Sequence, residues 1–218
     1  MDSLAQTAQT AQTAPPATVA RSQRRRRVGW STIASGVALV ITTEASYFPS
    51  SLGLVFLGAT LVLFLGMIPI AMWLHSGVVA REAGAGATLS RAAEIIGIVG
   101  MAISAVIAVL MLPHWLPAVQ GQILTTSALG VIGIWLLAGN ALALRLRLFN
   151  RVLGTLGALA GFGMLVSALV MWVELGIGNL GGAVSPLENI RMFGGYLGEA
   201  FYIIWALWLG IWLLVRKR

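Results

Sequence analysis

Four glutamates lie inside or at the edge of long apolar stretches: Glu44, Glu94, Glu174 and Glu199. A carboxylate at the centre of a membrane helix costs ~2.5–3.5 kcal/mol on insertion scales, so each needs a partner or a task. Glu94 has a partner in sequence. It is expected in the first turn of its helix, where the dipole favours negative charge, with Arg91 at i−3. Glu44, Glu174 and Glu199 instead fall toward one common end of their stretches, and Arg191 is the lone cation at that end. Two carboxylates held close in a poorly solvated site cannot both ionise cheaply, so such a pair exchanges a proton or holds a cation. The chemistry on offer is a pocket of Glu44, Glu199, Glu174, Arg191 and Tyr202 for a proton, a cation or a small amine-bearing ligand. Glu44 and Glu199 should approach one another there, with Arg191 as counter-charge. The competing arrangement pairs Arg191 with Glu188 at i,i+3.

Helical periodicity orients Glu199. At about 100° per residue, Gly195, Tyr202, Ala206 and Gly210 share its side, while Phe201, Trp205, Trp208 and Trp212 lie opposite. Small residues suit helix contact and large aromatics suit lipid, so Glu199 is expected to face inward. Gly163 and Ser167 lie beneath Glu174, and Thr42, Thr43, Ser46 and Tyr47 surround Glu44.

Other chemistries lack their parts. There is no cysteine, which removes disulfides, thiolate metal sites and thiol catalysis together. His75 and His114 are expected on opposite faces of the membrane, too far apart to share a metal or clamp one haem. No HExxH or Gly-rich phosphate loop with Lys occurs, and Asp2 is the only aspartate. The expectation is a protein without catalytic constellation, cofactor or metal.

The elements that must position these residues are six apolar stretches, at 28–48, 51–74, 92–112, 122–144, 152–175 and 194–215. Each has roughly 20 residues or more, enough for a helix to cross a hydrocarbon core of ~30 Å. They are continuously apolar rather than alternating, which excludes barrel strands. Hydrophobic residues make up 58% of the chain and charged residues 10%, against roughly 25% charged in a soluble domain. The fold class is therefore an all-α polytopic integral membrane bundle of six transmembrane helices. Threaded in order, the stretches sort the 14 Lys and Arg residues: all but Arg191 fall on one side. Short basic loops stay cytoplasmic, which places both termini inside. The net charge of +7 is this signal, together with attraction to the lipid bilayer's anionic lipids at the cytoplasmic face, rather than a nucleic-acid footprint.

Residues 1–27 read as a disordered, Arg-rich cytoplasmic tail containing AQTAQTAQT and Pro15-Pro16, and residues 28–218 as the transmembrane domain. The apolar stretch after the arginines is long for a cleaved signal peptide and fits an uncleaved anchor; an organelle transit segment is the alternative. Pro49-Ser50-Ser51 and the segment 113–117 mark external turns, and 81–91 an internal loop. Trp30, Trp73, Trp115 and Trp172 sit near stretch ends, at the headgroup level. Ser185-Pro186-Leu187-Glu188 has the form of a capping box, so a short interfacial helix should begin there and bend at Gly194-Gly195 into the last span. Gly154, Gly157 and Gly161 share a helix side and predict a packing seam inside the bundle, with a homo-oligomer face as the alternative.

The first-stretch glutamate, FNRVLGTLGALAGFG (149–163) and GEAFYIIWALWLG (198–210) resemble a group of bacterial multi-span membrane proteins, the domain of unknown function 4386 type. That resemblance covers roughly residues 28–215. It implies a bundle of about six or seven helices in a bacterial plasma membrane, with Glu44 and Glu199 at the positions of its shared glutamates. Two functions follow from the residues. One is binding or transport of a proton, cation or small ligand through an externally open carboxylate pocket. The other is a non-catalytic scaffold or accessory subunit of a membrane complex, whose glutamates specify packing.

Overall fold

The computed structural model describes residues 17–46, 49–111, 118–177 and 186–216. These form six α-helices: α1 (Ala17–Ser46), α2 (Pro49–Val79), α3 (Ala85–Met111), α4 (Ala118–Arg145), α5 (Arg151–Gly176) and α6 (Pro186–Val215). No strand occurs among the described residues. Five helices contain stretches long and apolar enough to cross a membrane: Leu54–Val79, Ala85–Met111, Ile123–Arg145, Arg151–Gly176 and Pro186–Val215. The sixth, α1, is diluted by its arginine run and by Ser31, Thr32, Ser35, Thr42 and Thr43.

Each helix packs on the next in sequence, α1 closes on α6, and a smaller contact joins α2 to α4 across the ring. Outward positions are apolar on every flank, among them Trp30 and Val37 on α1, Leu65 on α2, Ile103 on α3, Phe162 on α5 and Ile211 on α6. A contiguous exposed apolar belt of this kind is what a lipid-facing surface requires. The interior is built on Met67, Ile70, Trp135, Leu136, Tyr202 and Trp205, all fully enclosed.

Glycines set how closely the helices approach. On α5, a Cβ at Gly154, Gly157 or Gly161 would collide with Leu144, Asn140 or the Leu137 backbone nitrogen respectively, the last at 2.5 Å. These three glycines are therefore a seam between α4 and α5 inside the bundle. Gly163 faces the other way, and its Cβ would lie 2.7 Å from both the Gly194 carbonyl and the Gly198 nitrogen of α6. On the closing contact, Gly29 and Gly36 of α1 meet α6 near Gly210 and Ala206. Without a hydrophobic force between helices in lipid, close approach of this sort supplies the dispersion contacts that hold them.

Four expectations change. α1 begins at Ala17, so residues 17–27 are helical rather than part of a structureless tail; the arginines extend the helix beyond its apolar part. α3 begins at Ala85, which reduces the internal loop to a short turn around Gly84 (φ 78°) and puts Glu94 well inside the helix rather than in its first turn. α6 runs unbroken from Pro186 through Gly194-Gly195, because those glycines are pressed against α5 rather than free to bend. Finally, Trp205 is fully buried, not lipid-facing. The inward face of α6 is broader than one small-residue stripe: Tyr202, Trp205, Leu209 and Leu213 fill the space that Gly198, Ala206 and Gly210 leave open. Pro186 does open α6, with Glu188 in its first turn. The segments 113–117 and 178–185, including Pro117, His114 and Ser185, lie outside the described residues.

Candidate functional site

The charged residues gather at two ends of the bundle. At the α5–α6 end, Arg191 Nε lies 2.8 Å from Glu174 Oε2, and Arg191 Nη2 lies 3.8 Å from Glu188 Oε1. Glu174 is 3% exposed and the Arg191 side chain 13%. The Nε–H is off the line to the oxygen, so the contact is ionic more than a directed hydrogen bond. Arg191 is therefore engaged by Glu174 and Glu188, and it is not the counter-charge of a Glu44–Glu199 pair. Its reach is the reason: Glu188 sits one turn back on the same helix, and Glu174 ends the neighbouring one.

Glu199 is half-buried on α6 and meets α1 through Thr43, whose Oγ1 lies 3.5 Å from Oε2. The same hydroxyl lies 3.0 Å from the Leu39 carbonyl, the better acceptor geometry, so the Glu199 contact is long. Glu44, the next residue on α1, is exposed. The structure thus brings Glu199 to the α1 turn that carries Glu44, while joining Glu174 to Arg191 in a separate contact.

Tyr202 sits one turn deeper and is fully buried. Its hydroxyl is 2.9 Å from Ser35 Oγ, and Ser35 in turn lies 2.9 Å from the Thr32 carbonyl. The single Ser35 proton is used on that carbonyl, so Tyr202 donates to Ser35. Tyr202 also packs on Trp205, with ring centroids 5.7 Å apart, and Ser31 reaches the Gly66 carbonyl of α2 at 2.7 Å. Of the hydroxyls that weaken α1 as an apolar helix, Ser31 binds it to α2 while Ser35 and Thr43 reach α6.

A third charge group joins α2 to α3. Arg91 Nη1 lies 2.6 Å from Glu94 Oε2, His75 Nε2 lies 3.7 Å from the same oxygen, and His75 Nδ1 is 3.0 Å from Ser90 Oγ. Arg91 at i−3 was legible in sequence; the histidine was not, since nothing local shows that the end of α2 meets α3. Two further residues escaped sequence reasoning. Glu82, in the α2–α3 turn, pairs with Arg145 at the end of α4 at 2.6 Å. Asn140 is fully buried between α4 and α5, donating to the Leu136 carbonyl at 2.8 Å, and its Oδ1 has no partner among the described residues. One amide, Asn140, inside the apolar Ile123–Arg145 stretch was the available signal.

The opposite end of the ring is basic and open. A cleft of about 990 Å³ is bounded by the start of α1, the end of α2 and the end of α6, and a second lobe of about 580 Å³ continues toward the α4–α5 turn. Arg81 and Arg216 border both lobes. Phe149 from that turn meets Trp212 edge-on at 6.4 Å, and the Arg216 guanidinium lies 4.6 Å from the Trp212 ring centroid. Asn150 caps α5 by accepting from the Leu153 nitrogen at 2.7 Å, which fixes the turn. Among the described residues, no group of three His, Cys, Asp or Glu side chains is placed to hold a metal ion. The chain matches no protein-family model, no curated protein and no solved structure.

Proposed function

We propose that the chain is a six-span membrane protein with cytoplasmic termini that acts as a non-catalytic scaffold or accessory subunit, its in-membrane charges serving helix pairing. The observation that carries this reading is the Glu174–Arg191 contact, which joins a carboxylate and a guanidinium from adjacent helices and removes both from solvent. A carboxylate kept for transport needs access to water and a changeable partner; this one has neither. Glu94 is also buried and paired, although its partner Arg91 lies on the same helix and stays exposed.

The sixth span is α1. Its outward face, with Trp30, Val37, Val40 and Ile41, is apolar, and its inward hydroxyls are satisfied by α2, α6 and its own backbone. Arg191 then lies on the face opposite the other described basic residues, as positive-inside sorting requires. Alkaline phosphatase fusions test the topology. Activity is expected after positions near Ser50, Pro117 and Gly182 and absent near Gly84 and Asn150; the reverse pattern overturns it.

A second reading rests on Glu199, which is half-buried beside Thr43 rather than joined to a cation. With Glu44 one position further along α1, it supplies the groups for proton or cation binding from the external side. Glu199→Gln separates the readings. A scaffold keeps its assembly and its cation response unchanged, whereas a cation site loses at least tenfold in apparent affinity for the ion that stabilises the purified protein.

A further inference from the structure

The arginine cleft serves none of the pairing just described. Arg21, Arg24 and Arg25 enter it from α1, Arg81 from the turn after α2, and Arg216 from the end of α6. Among the described residues, no carboxylate borders either lobe. The nearest acid in sequence, Glu82, is occupied by Arg145. Such a concentration of like charge is self-repelling and raises the local concentration of anions.

Three of these arginines are held by neutral partners, and no acid among the described residues offsets their charge. Arg25 Nη2 donates to the Arg216 carbonyl. Arg81 Nη1 donates to the Leu146 carbonyl at 2.5 Å, and Arg216 stacks over Trp212. A carbonyl at a helix C-terminus positions a guanidinium without neutralising it. Arg25 Nε is shielded from solvent and has no hydrogen-bond partner among the described residues, which leaves a charged donor unmet.

The remaining walls are largely apolar, with Ser22 and Ser76 among them. Trp73, Leu148, Trp212 and Leu213 border the same space. An occupant must therefore combine an anionic head with an apolar or neutral body. Guanidinium groups match the oxygens of phosphate in bidentate geometry, and basic pockets between membrane helices take phosphate headgroups. We propose that the cleft enclosed by α1, α2 and α6 binds a phosphate ester of net negative charge, the group common to anionic lipid headgroups and soluble organic phosphates. This site is built from α1, α2 and α6 side chains together, and differs in that from the diffuse attraction of any basic tail to a membrane. It is independent of the scaffold reading, and the test below needs no assumption about topology.

The full chain is purified in mild neutral detergent. Binding is read by native mass spectrometry and by the fluorescence of the cleft tryptophans, at constant ionic strength. The probes are short-chain phosphatidylglycerol, zwitterionic phosphatidylcholine and glycerol phosphate. Arg21→Gln with Arg24→Gln removes two cleft cations; Arg26→Gln with Arg27→Gln removes the same charge from exposed positions on the same helix that do not border the cleft. The expected result is preferential binding of phosphatidylglycerol over phosphatidylcholine, weakened about tenfold or more by the first pair and less than about threefold by the second. Glycerol phosphate binding as well as the lipid, with the same dependence on the pair, assigns the site to a soluble ligand; glycerol phosphate failing where the lipid binds assigns it to a headgroup. Equal losses in the two pairs, or no binding of either anionic probe to the unaltered chain, overturns the proposal.

Discussion

The Glu174–Arg191 contact and the arginine cleft at the other end handle charge in opposite ways. At the Arg191 end, carboxylate and guanidinium meet across α5 and α6 and both leave water. At the arginine end, cations of one sign line an open cleft and are held by carbonyls and an aromatic ring. Buried charge has to be matched, because a lone ion in a poorly solvated place is expensive. Solvated charge can stay unmatched and act on whatever approaches. A formal count of acids and bases shows neither arrangement; only the partners do.

That contrast is most exposed to a change at Glu174. Replacing it with Leu removes the partner at 2.8 Å and leaves Arg191 its longer contact to Glu188, and the expected loss is ~3–5 kcal/mol, read as a lower unfolding temperature of the detergent-solubilised protein. The double change Glu174→Leu, Arg191→Leu should recover most of that loss. If the single change costs nothing, the end is not a matched site. The layer between the two ends should respond less. Tyr202→Phe removes one donor from Ser35 while keeping the ring against Trp205, and about 1 kcal/mol is expected. Smallest of all is the stability effect of Arg21→Gln with Arg24→Gln, expected within ~0.5 kcal/mol although phosphate binding falls. A large destabilisation there would turn the cleft arginines into packing residues and erase the difference between the ends.

How much of this was legible in sequence depends on the range of the interaction. The apolar stretches located all six helices, and Arg91–Glu94 followed from spacing along one helix. The glycines at 154, 157 and 161 marked a seam because small residues in register have that use wherever the neighbour is. The neighbour itself was not written there. That α6 meets both α1 and α5 determines the partners of Tyr202, Arg191 and Glu199, and no local pattern carries it. Trp205 was misplaced for a related reason, since periodicity ranks the sides of a helix but not the width of the buried one. In sequence the cleft arginines give a topology signal and a general attraction to anionic lipids; their positions are separated by nearly the whole chain and become a site only when the ring closes.

Closure of the ring also orders the assembly in time. α1 leaves the ribosome well before α6, which covers its second flank. Until α6 arrives, Ser35 lacks the Tyr202 hydroxyl, and the notches at Gly29 and Gly36 face lipid or a chaperone rather than Gly210 and Ala206. The first helix therefore waits through the synthesis of the other four, and a nascent chain halted before Pro186 displays two unsealed flanks, on α1 and on α5.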